Sequence, residues 1–329
     1  MFGKRLRDAL LSLCVFLVAL VVAYGALTLG IHLFVDDGME FNLEMWKYAR
    51  DIKRISADPL IGHEHRPGTH SFLMGADMAI NSQGLRDGEI PLNRTPGTKR
   101  IMMLGDSFIL GWGVPFDDII SKRLERLFAK DGRRVEVVNA GVGNYNSIME
   151  VEYYLTRGYK FHPDVVVLNY TFNDAEPVPS YRDDGFIARN SELLVVFLGG
   201  MDSFLRRFGA QKRWDEYYLG LYDTPGWDAA KVAIRKLADA TRQQGSKLII
   251  VSWPELHDVQ RYRLQRITDL VHGLADAEHV PFVDLLPAVA GQDSSKLWVT
   301  APDPHPNAYA NGLYAEFLYP ALKALLPTP

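Results

Sequence analysis

From Arg100 onward the chain alternates short, continuous apolar runs with amphipathic stretches, and this alternation constrains the fold more than any other feature. The runs at 100–104, 135–139, 164–170, 247–252 and 282–285 read as strands. "DVVVLNY" and "KLIIVSW" carry apolar residues at successive positions, as strands covered on both faces do. Between them, 117–130, 147–157, 228–244, 259–277 and 308–325 have helical spacing. Strand-then-helix repetition predicts an α/β fold of three layers, α/β/α, around a mostly parallel, doubly wound sheet that binds ligands beyond its carboxyl edge. A chain of 329 residues, 47% hydrophobic, suffices for one large core.

The segment ahead of this domain predicts a membrane anchor. "MFGKRLRD" (1–8) precedes an uncharged run, 9–35, that is followed at once by Asp36 and Asp37. Such a run crosses about 30 Å of hydrocarbon as a helix. Basic residues on one flank and acids on the other predict a cytoplasmic N-terminus and an extracytoplasmic, periplasmic domain. Cleavage after Ala23-Tyr24-Gly25 is the alternative, but "LTLGIHLFV" stays apolar past that site, so an uncleaved single-pass anchor is expected. Cys14 follows Leu13, which does not suit lipoprotein processing, and as the single cysteine it excludes an intrachain disulfide and a cysteine-based metal site.

Residues 36–99 join anchor and domain. An amphipathic helix is expected at 39–54, followed by small strands and turns, rich in Gly, Pro, Asn and His, that dock on the domain 100–329. An insertion at 175–226 carries "SELLVVFLGGMDSFLRRFG", too short and glycine-broken to span a bilayer. It reads either as a lid or site wall that also touches membrane, or as a helical pair packed on the core. A formal charge of −4 with scattered basic residues argues against nucleic acid as a partner.

The first strand runs into Gly105, Asp106 and Ser107, holding a hydroxyl at the carboxyl edge of the expected sheet. A serine needs a base, an orienter for that base, and donors for the oxyanion. Asp303 and His305 in "VTAPDPHPNAYANGLYAEFL" lie on a loop stiffened by Pro302, Pro304 and Pro306 before the last helix. "VVNAGVGNYNS" offers amides at the glycine turn 141–143, and "NYTFNDAEP" offers the Asn173 side-chain amide beside Asp174. Asp106 reads as a structural acceptor for loop amides. "GHEHRPGTH" gathers His63, His65 and His70; without a carboxylate pattern, a surface turn is expected there rather than a metal site. His162, His257, His272 and His279 belong to no constellation.

Together, Gly105-Asp106-Ser107, the turn 141–143, Asn173-Asp174 and Asp303-Pro304-His305 resemble the four blocks of the SGNH (GDSL) hydrolase superfamily, in that family's order, from about residue 100 to the C-terminus. The resemblance implies acyl-ester chemistry without metal or cofactor. Ser107 would be the nucleophile, His305 the general base and Asp303 its orienter. The oxyanion would be held by the amides of Ser107 and Gly143 and the side chain of Asn173. Two departures stand out. One residue rather than two separates Asp303 from His305, and counting from Asn139 the family's donor glycine falls on Asn144 instead of Gly143. Attack by water on the acyl-serine would make an esterase acting on a cell-surface glycan or lipid-linked substrate; attack by a sugar hydroxyl would make an O-acyltransferase. A reading from another class is a non-catalytic, hydrolase-like subunit of a membrane complex, with the apolar segments as its interfaces.

Overall fold

The computed structural model describes residues 2–179, 190–301 and 303–326. Pro302 and residues 180–189 of the expected insertion lie outside the described residues. In chain order the first elements are α1 (Phe2–Phe34), α2 (Phe41–Asp51), β1 (Lys53–Ile55), β2 (His63–His65), β3 (His70–Leu73), β4 (Ala76–Ala79), β5 (Lys99–Gly105), α3 (Ser107–Leu110), α4 (Ile120–Lys130), β6 (Val135–Gly141), α5 (Ser147–Thr156) and β7 (Val165–Tyr170). They are followed by α6 (Glu192–Arg207), α7 (Trp214–Leu221), α8 (Pro225–Gln244), β8 (Lys247–Ser252), α9 (Gln265–Ala277), β9 (Phe282–Asp284), α10 (Leu286–Val289), β10 (Trp298–Thr300), β11 (Asp303–Pro306) and α11 (Ala308–Leu325).

Five strands form one parallel sheet in the order β6-β5-β7-β8-β9. Gly105 pairs with Gly141, Leu104 with Leu168, and Tyr170 with Ser252, so the strands end along one edge. The chain steps from β5 outward to β6, then back across β5 to β7. Right-handed crossovers therefore put α4 on one face of the sheet and α5 on the other, and the strand order reverses between β5 and β7. Helix α11 packs beside α4, and α8 beside α5, completing the two outer layers. The strands are buried almost throughout, which explains their unbroken apolar sequences.

Two expectations need correction. The Asp303–Pro306 segment is a strand, β11, paired antiparallel with β10, and not a loop. The stretch with His63 and His65 is no surface turn; it forms β2, paired with β1, and both histidines are buried. Among the described residues no cluster of three or more His, Cys, Asp or Glu is placed to hold a metal ion. Helix α1 is the one described helix long and apolar enough to cross a membrane, and it stands clear of the domain over nearly all its length.

Candidate active site

Ser107 sits where β5 turns into α3. Small residues make that turn possible, because neighbouring backbone approaches closely: a Cβ on Gly105 would stand 2.3 Å from Ile109 Cγ1, and one on Gly141 would stand 2.2 Å from the Leu110 nitrogen. Asp106 caps α3 by accepting the Phe108 N–H at 2.9 Å. The other end of α3 is held from outside the domain. Buried Arg86 donates to the carbonyls of Leu110, Gly111 and Val114 at 2.5–2.9 Å, satisfying acceptors that so short a helix leaves exposed. Burial brings the Arg86 guanidinium down to about 10, which leaves it charged near neutrality.

The C-terminal strand brings the partners. His305 Nε2 lies 2.7 Å from Ser107 Oγ, and His305 Nδ1 bonds Asp303. Asp303 is fully buried and both its carboxylate oxygens are engaged: Oδ1 also accepts the His305 N–H at 3.1 Å, and Oδ2 accepts Trp112 Nε1–H at 3.1 Å. A carboxylate on Nδ1 fixes the proton there and leaves Nε2 to accept from the serine. The short spacing between Asp303 and His305 works because the β11 backbone places the aspartate directly against the ring. Phe41 from α2 stacks on the imidazole at 6.1 Å and Phe108 meets it edge-on at 5.1 Å. Ser107 and His305 retain 7% and 9% exposure, so any ligand reaches them through a narrow opening.

The expected oxyanion donors separate. The Gly143 N–H donates to Tyr48 Oη at 3.0 Å and is committed there. Asn144, the alternative, has φ +65°, a left-handed conformation favoured by glycine and tolerated by asparagine, and among the described residues its N–H meets no protein acceptor. Asn173 accepts through Oδ1 from Thr171 Oγ1 at 2.7 Å, which leaves Nδ2 as its donor end. Both stand at strand ends that flank the reversal point next to Ser107.

Sequence reasoning missed the part played by residues 36–99. Tyr48, Lys53 and His63 hold both backbone groups of Gly143. Tyr48 takes its N–H, while Lys53 Nζ (2.5 Å) and His63 Nε2 (2.9 Å) donate to its carbonyl. Lys53 also donates to Asn144 Oδ1 at 2.9 Å. The proton positions form one consistent chain: His65 Nδ1 donates to the Gly84 carbonyl at 3.0 Å, so Nε2 accepts from Tyr48 Oη at 2.7 Å, and the Tyr48 oxygen is free to accept from Gly143. Burial keeps both imidazoles neutral, lowering His63 to about 2 and His65 to about 3, and it lowers the Lys53 ammonium to about 7. The one available signal was the clustering of histidines in "GHEHRPGTH".

Beneath the serine lies a knot of acids. Thr171 Oγ1 touches Asp106 Oδ2 (3.1 Å) and Asp174 Oδ1 (2.8 Å) in addition to Asn173. One hydroxyl proton cannot serve three acceptors; with it on Asn173 Oδ1, each of the two carboxyl contacts needs a carboxyl proton donated to Thr171 Oγ1. Burial pushes Asp106 up; burial and then the neighbouring Asp106 push Asp174 well above its usual range. Glu150, on α5, is driven well up by burial and then by Asp174 and Asp106, and among the described residues its carboxyl oxygens have no hydrogen-bond partner.

A doubly wound sheet with a hydroxyl, an imidazole and a carboxylate hydrogen-bonded at its carboxyl edge has the arrangement of an α/β serine hydrolase. The family is narrower. Residues 103–313 match the GDSL-like Lipase/Acylhydrolase family, and the chain belongs to it; it is by that membership an ester hydrolase. Among solved structures the chain is similar to TesA (18% identity, 69% of this chain and 100% of that one, TM-score 0.48). It is also similar to the lipase/acylhydrolase from Enterococcus faecalis (15% identity, 70% and 98%, TM-score 0.45) and to the psychrotrophic esterase EstA from Pseudoalteromonas sp. (13% identity, 69% and 97%, TM-score 0.45). No curated protein matches the sequence.

Proposed function

We propose that this chain is a serine esterase held at the membrane by α1, with its domain on the extracytoplasmic side, removing acyl groups from a cell-surface glycan or lipid-linked substrate. The observation that carries the chemistry is the 2.7 Å contact between Ser107 Oγ and His305 Nε2, with His305 Nδ1 on the buried Asp303 carboxylate, whose other oxygen accepts from Trp112. His305 takes the serine proton as Oγ attacks the ester carbonyl, and Asp303 holds the resulting imidazolium. The Ser107 and Asn144 amides and Asn173 Nδ2 receive the oxyanion. Collapse of the tetrahedral adduct expels the alkoxide, which collects the proton from Nε2. Water, deprotonated by the same nitrogen, then attacks the acyl-serine and restores the enzyme.

Incubation of the detergent-solubilised full chain with a fluorophosphonate probe and with p-nitrophenyl acetate tests this. Labelling and turnover are expected for the wild type, with turnover lost by at least about 1,000-fold in Ser107→Ala and His305→Ala. A folded protein that neither labels nor turns over would instead favour the non-catalytic subunit.

A further inference from the structure

Helix α6 carries an apolar surface that nothing in the described chain covers. Phe197, Met201, Phe204 and the capping Phe208 are 41–68% exposed and, at 100° per residue, share a stripe about 60° wide, with Leu198 at 55% exposure beside it. The opposite side of the same helix is packed. Gly199, about 200° around from Phe197, faces α2 so closely that a Cβ there would stand 2.7 Å from the Asn42 side chain.

The surroundings of α6 say what covers the stripe. Its N-terminal end rests on α1: Tyr24 Oη donates to Ser191 Oγ at 3.3 Å, and His32 Nε2 lies 3.1 Å from the Glu192 carboxylate. Tyr24 is ten residues before the end of α1 at Phe34, about 15 Å down the helix axis. Helix α6 therefore begins alongside the outer part of the segment long and apolar enough to span a bilayer, whose own surface is exposed and apolar. At its C-terminal end and just beyond it lie exposed Arg207, Lys212 and Arg213 and the half-exposed Trp214, on whose ring Arg206 stacks at 3.6 Å. Aromatic and aliphatic residues on one face, with cations and a tryptophan at the border, suit a helix lying in a head-group layer that contains anionic lipid.

The packed face of α6 leads to the chemistry. Asn42, against Gly199, adjoins Phe41, whose ring stacks on His305. One helix, α2, thus separates the imidazole from the helix with the exposed stripe. We propose that α6 lies in the head-group layer of the membrane that α1 crosses, and that this docking presents the Ser107 site to an ester carried by a bilayer-resident, lipid-linked molecule. The presentation rests on the esterase reading above; the docking does not.

The two parts have separate tests in the full-length protein, reconstituted in vesicles of phosphatidylcholine with a minor share of phosphatidylglycerol. In a Cys14→Ser background, an environment-sensitive fluorophore is attached at Phe204→Cys or at Val232→Cys, an exposed control site on α8. The label at 204 is expected to be blue-shifted and quenched by lipids spin-labelled high on the acyl chain, and the label at 232 by aqueous iodide. Iodide quenching at 204 equal to that at 232 overturns the docking. So does a blue shift at 204 that ignores labelled lipid and grows with protein density, which would mark a second copy of the chain on the stripe. For presentation, Phe197→Glu with Phe204→Glu should leave p-nitrophenyl acetate hydrolysis within about twofold. It should slow hydrolysis of an acetate ester on a lipid head group in the same vesicles about tenfold, as an interfacial contact of this size is lost. Equal effects on the two esters, or none on the lipid ester, overturn the presentation. A wild type inactive on p-nitrophenyl acetate removes the esterase reading, while the fluorophore still decides where α6 lies.

Discussion

Asp303 shows how much the site asks of single side chains. It accepts two N–H groups from His305 and one from Trp112, with no exposure to water. Such donors replace the water that the buried side chain has lost, and each charge-assisted bond contributes about 1.5–3 kcal/mol. Trp112→Phe keeps the ring and removes one donor. We expect kcat on p-nitrophenyl acetate to fall about tenfold with KM nearly unchanged, since Trp112 is buried away from any ligand, whereas Asp303→Asn should cost about 10,000-fold by presenting the wrong tautomer to Ser107. Unaltered kcat in Trp112→Phe would mean that His305 alone orients the carboxylate. Asp303 and His305 were legible in the sequence because they adjoin each other between prolines. Trp112 was not, because its partner lies 191 residues away and nothing local distinguishes a tryptophan between two glycines.

At the level of elements, the five strands of the parallel sheet were readable to within two residues at each end, since continuous apolar runs leave few alternatives for a chain alternating with amphipathic helices, whereas the short β10–β11 pair, polar and proline-rich, was not. Helix α9 begins at Gln265 rather than near 259, because the turn before it shares the helix's composition. What could not be read was that α2 and the β1–β2 ribbon build one wall of the site. That contact joins three side chains to the Gly143 backbone 80 to 95 residues away, and short polar strands carry no sign of their partners. Tyr48→Phe tests the wall. It strips the acceptor from Gly143 N–H and the donor from His65 Nε2, leaving both buried and unpaired. The expected outcome is a loss of about 2–4 kcal/mol in denaturant-induced unfolding, with a fall in kcat as the 141–144 turn loosens. Asn144→Gly should behave oppositely. It keeps the backbone N–H and suits φ +65°, so turnover should persist within about threefold despite the lost bond to Lys53. A large loss of turnover in this variant would mean that the Asn144 side chain, not its amide, serves the site.

Across the whole molecule, three carboxyls with raised affinity for protons, Asp106, Glu150 and Asp174, lie buried in one core near Ser107, and this shapes how stability responds to pH. Glu150 and Asp174 bind protons more tightly folded than unfolded. Between the unfolded value, about 4, and the raised folded one, the native state therefore holds more protons than the unfolded chain, and the slope of stability with pH is negative. Their contribution is complete below about pH 4 and is lost as pH rises through the folded values. Buried His63 and His65, lowered to about 2 and about 3, act with the opposite sign up to the ordinary imidazole value, and Lys53, lowered to about 7, does so above that pH; comparing a variant with the wild type from about pH 5 to 6.5 cancels the histidines and isolates the acid. Glu150→Gln is the cleanest probe, because the glutamate has no hydrogen bond among the described residues to lose and the amide cannot ionise. The difference in Tm between Glu150→Gln and wild type should grow in the variant's favour by several degrees across that window, measured by thermal unfolding in detergent. A difference independent of pH would show that Glu150 titrates normally. The unpaired carboxyl would then have found water, and the cost of the acid knot would rest on Asp106 and Asp174 alone.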